Sequence, residues 1–444
     1  MDIAELYKIY QKHPVITTDS RDCPEGSIFV ALKGESFDGN KFAASALDKG
    51  CAYAVIDEAE YAPEGDCRYI VVDDCLRTFQ LLAREHRRQF HIPVIGITGT
   101  NGKTTTKELV SAVLAMRYNV LHTEGNFNND IGVPKTLFRL SHEHEIAVVE
   151  MGASHPGDIK TLVELVEPEY GIITNVGKAH LQGFGSFEGV IRTKGELYDF
   201  LREHTGSKVF VDAGNEHLMG IAHDLPLVRY GLGAQGDPCI EGEVISCAPM
   251  LKFRWRSKAM TGYGDKAVAA NDWHEVQTHL IGSYNVYNML AAASIGLYFG
   301  VTAAQVDEAL TRYVPSNNRS QLTVTEHNRL IVDAYNANPT SMAAALKNFR
   351  DMEVSPKMAI LGQMGELGES SEEEHRRIID TLTAYGIKDV WLVGDNYAPF
   401  GCPFRKFHDV EEVKAEIARQ QPQGYYILIK GSNSVKLSQL PPLL

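Results

Sequence analysis

The chain lacks any apolar run long enough to cross a bilayer. Its most apolar stretch, Met289 to Val301, is 13 residues long and is broken by Ser294, Gly296 and Gly300, short of the ~18 a spanning helix needs, so a buried helix is predicted there and no membrane span. Cysteine is sparse and without pattern. Cys23, Cys51, Cys67, Cys75, Cys239, Cys247 and Cys402 are odd in number, scattered, and form no C-x-x-C, which excludes a disulfide framework or a cysteine zinc site and fits a reducing, cytoplasmic setting. Positive charge is also in deficit. Lys and Arg total 43 against 57 Asp and Glu, a net −14, so a sequence-independent hold on nucleic acid is not expected and any bound anion must be held locally. The beginning, Met1 to Leu6, has no basic segment followed by an apolar one, and no signal peptide is expected.

What remains is an ordinary globular composition over 444 residues, with 44% hydrophobic and 23% charged residues. At about 150 residues per domain this length suggests three domains. Residues 1–90 read as a small α/β unit with strands at Ser27–Leu32, Ala52–Ile56 and Tyr69–Val72, closed by the basic helix end Arg84–Arg88 and by Pro93, which disfavours helix before it. Residues 91–315 read as a parallel doubly wound unit with strands at Pro93–Thr98, Ile146–Val149 and Gly171–Thr174. Its part from 205 to 280, strand-like runs between Gly and Pro turns, is expected to be an antiparallel extension. Residues 316–444 repeat the α/β alternation, with strands at Leu330–Asp333, Met358–Leu361, Val390–Val393 and Tyr425–Ile429 and a helix over Glu372–Tyr385. The fold class is therefore α/β: a small N-terminal unit, a central parallel-sheet ATPase-like unit and a C-terminal Rossmann-like unit.

The chemistry is most explicit between strand and helix at Thr98-Gly99-Thr100-Asn101-Gly102-Lys103-Thr104-Thr105. Backbone N–H groups of a glycine-rich turn at a helix start can surround phosphate oxygens, while Lys103 supplies a point charge and Thr104 a hydroxyl for Mg²⁺. The match is not a strict G-x-x-x-x-G-K-T, because position 97 is Ile; its context of strand, loop and helix makes nucleoside triphosphate binding the reading. Glu150 ends an apolar strand at the same sheet edge, either as a Mg²⁺ carboxylate or as a cap of the following turn. His180, after the next strand, is structural or functional on equal terms.

Phe187, Val190, Ile191, Leu197, Tyr198 and Leu201 recur at helical spacing, and Lys194 lies within that stripe. A buried ammonium is costly. Lys194 therefore either snorkels or pairs with an acid such as Glu196 or Glu150, or it is an uncharged amine able to take up CO₂ as a carbamate and offer oxygens to Mg²⁺.

Taken together, the motifs resemble the Mur ligase family of peptidoglycan synthesis over nearly the whole chain. The carriers are Thr18–Arg21 with Ala31–Gly34 and Phe37–Gly39, Thr98–Thr106, Asn126–Pro134, Glu150–Ala153, Lys194–Glu196, Asp333-Ala334-Tyr335-Asn336-Ala337-Asn338-Pro339, and Lys430–Ser432. Tyr-Asn-Ala-Asn-Pro points to the branch that joins D-alanyl-D-alanine to a UDP-N-acetylmuramoyl-tripeptide. The resemblance implies ATP and Mg²⁺ as cofactors, an acyl phosphate intermediate, and action as a cytoplasmic monomer on those two small-molecule substrates. It implies Ser20 and Arg21 at the uridine diphosphate, and Asn128 and Asn129 at the muramyl substrate. Gly99 to Thr105 would hold ATP phosphates; Thr104, Glu150, His180 and a carbamylated Lys194 would hold metal. Asn285 and Asn288 would contact adenine, Asp333 the ribose and Arg319 the γ-phosphate, Tyr335 would be a further cofactor-binding residue, and Lys103, His180, Lys194 and Arg319 would form the catalytic set. Two positions depart from the family pattern: Tyr284 precedes Asn285 where His is frequent, and Asn318 precedes Arg319 where Gly is frequent. The sister ligase that adds the third amino acid is disfavoured by the absence of Asp-Asn-Pro-Arg. A folylpolyglutamate synthase would lack the first unit, and a GTP-dependent switch would need D-x-x-G and N-K-x-D motifs, which are absent.

Overall fold

The computed structural model describes residues 2–34, 36–315 and 321–444. Three parallel-rich sheets follow one another along the chain. The first has the order Ile16–Thr17, Ile28–Val30, Tyr53–Ile56, Tyr69–Val71, all parallel. The helix Cys75–Arg87 leaves this sheet, started by Asp74, whose side chain accepts from the Arg77 N–H, and it turns Phe79, Leu82 and Ala83 into the core.

That helix also joins the first unit to the second. The Leu140 carbonyl can only accept, so His86 Nε2 carries the proton given to it at 3.0 Å, and Nδ1 accepts from the Tyr7 hydroxyl at 3.0 Å. Arg87, buried beside it, donates to the carbonyls of Phe90, Val166 and Glu167. Cation and imidazole thereby satisfy backbone groups at the junction.

The central sheet has nine strands. Val94–Thr98 lies between Ile146–Glu150 and Tyr170–Ile173, with Ile97 opposite Glu150 and Thr98 opposite Ile173. Its strand ends therefore come out together, as ligand sites of parallel sheets require. The expected antiparallel extension is real only from residue 240. Lys208–Asp212 and Leu227–Leu232 continue the parallel sheet, because the short helix Glu216–Ile221 between them supplies the crossover. Ile240–Cys247 still pairs parallel with Leu227–Leu232, and Met250–Thr261 and Ala267–Ile281 then run antiparallel, each to the strand before it. The apolar stretch near 289 is a buried helix, Asn285–Tyr298, set against the helix Lys103–Leu114. The third sheet has the order Gln321–Val324, Arg329–Asp333, Tyr426–Lys430, Lys357–Gly362, Asp389–Val393, Arg405–Phe407, parallel but for its first strand. The expected strands differ from these by one or two residues at their ends. Among the described residues no helix is long and apolar enough to cross a membrane.

Candidate active site

The loop after Val94–Thr98 is shaped by two glycines in left-handed territory, Gly99 at φ +140° and Gly102 at φ +79°. A Cβ on Gly102 would stand 2.7 Å from Asn288 Oδ1, and one on Gly99 2.1 Å from Thr174 Oγ1. Glycine is thus required by both conformation and space. The loop is braced from the neighbouring strand end, where Asn175 O accepts from Thr100 N and Asn175 Oδ1 from Asn101 N. The helix Lys103–Leu114 starts without a side-chain cap, which leaves its first-turn N–H groups to a bound anion. Lys103 Nζ donates to the carbonyls of Gly99 and Thr100 at 2.8 and 3.2 Å, holding its charge over the loop.

Thr104, on the first turn of that helix, donates to Glu150 Oε1 at 3.1 Å, and Asn128 Nδ2 donates to the same oxygen at 2.8 Å. Glu150 is 1% exposed, and its Oε2 is buried with no partner. A buried carboxylate oxygen left unpaired is costly and marks a place for a cation. Among the described residues no three His, Cys, Asp or Glu gather into a metal cluster. Mg²⁺ keeps several waters and is bound through one or two carboxylates together with phosphates, which is what a single buried carboxylate beside the Thr104 hydroxyl can offer. The residues present fit the ion, and Glu150 is not a turn cap.

His180 sits in left-handed backbone at φ +49°, and its Nδ1 is paired with Glu366 Oε2 from the third unit. Burial holds its imidazole below the ordinary histidine value; Glu366 acts in the opposite sense, and Lys103 and Lys194 add to the lowering. Lys194 is 2% exposed, on the helix Phe187–Arg202. Its amine lies over the Phe184 ring at 5.3 Å and donates to the Ala153 carbonyl at 3.4 Å. Neither acid weighed as a direct partner reaches it. Glu196 instead accepts from Gly157 N and Lys160 N, capping the helix Asp158–Val166. Burial, then the positive charge of Lys103, pushes the Lys194 amine well below the lysine range.

These elements open onto a cleft of about 930 Å³. Thr100 to Lys103, Thr105, Asn128, Asn129, Glu150 and His180 line it from the second unit, as do Asn285 and Asn288. Asp333 and Tyr335 line it from the third. Gly99, Thr104 and Lys194 lie behind that surface. Asn285 and Asn288 are themselves braced: Asn285 donates to Ile281 O and accepts from Asn288 Nδ2, and Asn288 Oδ1 accepts from Thr106. Asp333 accepts from the buried Lys430 amine at 2.5 Å.

The third unit closes directly on the phosphate loop. Asn338 caps the helix Pro339–Asp351 through Oδ1 and donates through Nδ2 to Asn101 Oδ1 at 2.8 Å. Lys178 N donates to Thr340 Oγ1 at 3.1 Å, and Lys178 Nζ meets the buried Glu374 at 3.1 Å. Asn338, Thr340, Glu366, Glu374 and Lys430 carry no assigned role in the sequence reading, although Asn338 and Lys430 stand inside two of the motifs that carry the resemblance.

Comparison with known proteins places this geometry. The models for the Mur ligase family catalytic domain, the Mur ligase middle domain and the Mur ligase glutamate ligase domain match residues 14–95, 97–296 and 318–433. The UDP-N-acetylmuramoyl-tripeptide--D-alanyl-D-alanine ligase of Bacillus subtilis is 32% identical over 436 residues, covering 96% of this chain and 92% of that protein. The chain belongs to the Mur ligase family. The protein of the same description from Escherichia coli is also 32% identical, with 96% and 92% covered. Among solved Mur ligase structures, MurF from Acinetobacter baumannii superposes with a TM-score of 0.84 at 30% identity, covering 96% of this chain and 92% of that one. MurF from Thermotoga maritima in complex with ADP shares the fold, with a TM-score of 0.83 at 24% identity over 97% and 96% of the two chains.

Ser20 and Arg21 are not among the residues that line the cleft of this Mur ligase. Ser20 and Arg21 are on the first unit, where Ser20 O accepts from Lys49 and the exposed Arg21 is held by Asp19 through bonds of 2.8 and 2.7 Å. The Arg21 guanidinium holds the Asp19 carboxyl well below the usual carboxylate range. Asn318 and Arg319 lie outside the described residues.

Proposed function

We propose that this Mur ligase joins D-alanyl-D-alanine to UDP-N-acetylmuramoyl-tripeptide with cleavage of ATP to ADP and phosphate. The observation that carries this reading is the meeting, through Asn101 and Asn338, of a phosphate loop backed by a buried unpartnered carboxylate with the Tyr-Asn-Ala-Asn-Pro segment. It is supported by the relatives named for that reaction.

In this reading the loop from Gly99 to Thr105 holds the phosphates, and Lys103 neutralises the charge that builds up as the γ-phosphoryl group moves. Thr104, Glu150 and His180 would hold Mg²⁺, which when bound supplies charge neutralisation at the phosphates. A tripeptide carboxylate oxygen attacks the γ-phosphorus and ADP leaves. The amine of D-alanyl-D-alanine then attacks the acyl carbon, phosphate departs with that carboxylate oxygen, and the amine releases a proton. Positioning and charge suffice; no covalent nucleophile of the protein takes part. Asn128 and Asn129 face the muramyl substrate, Ser20 and Arg21 the uridine diphosphate, Asn285 and Asn288 adenine, Asp333 the ribose and Arg319 the γ-phosphate, with Tyr335 a further cofactor-binding residue.

Lys194 we take to be carbamylated. A neutral buried amine is the form that adds CO₂, releasing one proton and leaving a carboxylate, and the depressed basicity of Lys194 supports that form. We further take the chain to divide near residues 90 and 315 and to act as a cytoplasmic monomer. The test is phosphate release in mixtures that omit one component at a time. Turnover is expected only with UDP-muramyl tripeptide, D-alanyl-D-alanine, ATP and Mg²⁺ together; equal turnover with a dipeptide precursor and a single amino acid would favour the sister ligase.

A further inference from the structure

Lys107 is the one lysine of the phosphate-loop helix that the proposed reaction leaves without a task. It is 0% exposed, one turn beyond Thr104 on the face turned toward the strand end that carries Glu150. Burying an ammonium is costly unless it is paired and hydrogen-bonded, and an apolar side chain would be the default at such a position. Its amine donates to Thr123 O at 2.5 Å and pairs with Glu108 Oε1 at 2.6 Å. Thr123, also 0% exposed, follows directly on the edge strand Val120–His122. Its hydroxyl accepts from Glu150 N at 3.0 Å, and its own N–H donates to Val148 O at 3.1 Å. The Thr123 side chain therefore continues the ladder one step past the end of its strand, holding the main chain of Glu150 where a further strand residue would otherwise be needed. Lys107 fixes the peptide from which that side chain projects.

We propose that Lys107 is a positioning residue for the Glu150 carboxylate, acting through Thr123 to hold it in register with Thr104 for a divalent cation. The inference rests on the reading of Glu150 as a cation ligand and goes beyond it. The helix presents two side chains to one site. Thr104 touches the carboxylate directly, and Lys107 sets its backbone from behind. Outer groups of this kind commonly change metal affinity about 10–100-fold when removed, whereas the phosphate contacts of the loop do not pass through Thr123.

The probe is Mn²⁺, followed by the loss of its free-ion electron paramagnetic resonance signal on titration into full-length protein saturated with ADP. Lys107→Met and Thr123→Val are each expected to weaken Mn²⁺ binding about tenfold or more. ADP binding measured calorimetrically in EDTA should stay within about twofold. Because the two residues act in one chain, the double variant should bind Mn²⁺ no worse than the weaker single variant. Lys107→Gln, which keeps a donor without the charge, should retain part of the affinity. Glu150→Gln separates the two readings. If Glu150→Gln abolishes Mn²⁺ binding while Thr123→Val or Lys107→Met leaves it unchanged, Lys107 only anchors the helix and the proposal is wrong. If Glu150→Gln leaves Mn²⁺ binding unchanged, the cation site itself is wrong. Should Lys107→Met not fold, Thr123→Val decides: unchanged Mn²⁺ affinity overturns the proposal and a tenfold loss supports it.

Discussion

Asn338 performs two tasks that substitutions can separate. Its Oδ1 accepts from Ser341 N at 2.8 Å as a helix cap, while its Nδ2 donates across the units to Asn101 Oδ1 at 2.8 Å. The return bond, Asn101 Nδ2 to Asn338 Oδ1, is long at 3.4 Å and contributes little. A cap is worth about 1 kcal/mol, and a net neutral hydrogen bond about 1 kcal/mol. Asn338→Ala removes both, about 2 kcal/mol, with half appearing as lost stability of the helix Pro339–Asp351. Asn338→Asp keeps the cap oxygen and loses only the donor. Asn101→Ala loses the same cross-unit bond from the other side. Each of these two should therefore leave helix stability alone and lower the population of the closed arrangement about fivefold, the factor that 1 kcal/mol represents. The assay is kcat/KM for ATP in a double-mutant cycle of Asn101→Ala and Asn338→Asp, which cancels any direct effect of Asn101 on the nucleotide. A coupling of about 1 kcal/mol is expected. A coupling near zero, with both single variants folded, would refute the claim that this pair holds the third unit on the loop.

Gly102→Ala should cost about 1–2 kcal/mol from its left-handed backbone, besides displacing Asn288, and so weaken ADP binding about tenfold by calorimetry; unchanged affinity would mean that the loop opens on binding. Lys194→Ala should lose most turnover, regain part of it with a small added carboxylate and none with bicarbonate, and lack the carbamate carbon resonance that ¹³CO₂ should give the parent protein. Near-parental turnover at low bicarbonate would make Lys194 structural. His86 is held below the ordinary histidine value, chiefly by burial, so below pH about 6.5 the unfolded chain binds more protons than the fold. Stability from this group is present above that pH and is lost as pH falls through the folded value, at no more than about 1.4 kcal/mol per pH unit. Thermal unfolding between pH 7 and 5 should therefore fall less steeply in His86→Phe than in the parent, and equal slopes would contradict the assignment.

The parts of the site that were legible in the sequence are those carried by one local pattern. Gly99 to Thr104 announces itself by strand, glycine turn and helix, Glu150 by its place at a strand end, and Lys194 by standing within an apolar helical stripe. Burial of Lys194 followed from that stripe, but its surroundings did not, since Glu196, two residues along the same helix, turns instead to the start of the helix Asp158–Val166. Lys107 escaped notice because its neighbours Thr104 to Thr106 and Glu108 are polar; its burial comes from tertiary packing that no local pattern encodes. Asn338, Thr340 and Glu366 act across units, and no periodicity encodes which loop of one unit will meet which turn of another. The region from 205 to 240 misled for a local reason: Gly and Pro turns mark both hairpins and tight crossovers, and the six-residue helix Glu216–Ile221 is too short to show a helical period.

The central claim is that a tripeptide carboxylate is activated by ATP and then captured by D-alanyl-D-alanine. It is tested most directly by supplying UDP-muramyl tripeptide labelled with ¹⁸O in its terminal carboxylate, together with D-alanyl-D-alanine, ATP and Mg²⁺, and recording the masses of peptide product and phosphate. The account requires a product heavier by the dipeptide less water, and one ¹⁸O carried from the carboxylate into each phosphate released. Phosphate without label, or ADP formed with no dipeptide joined to the tripeptide, would contradict it.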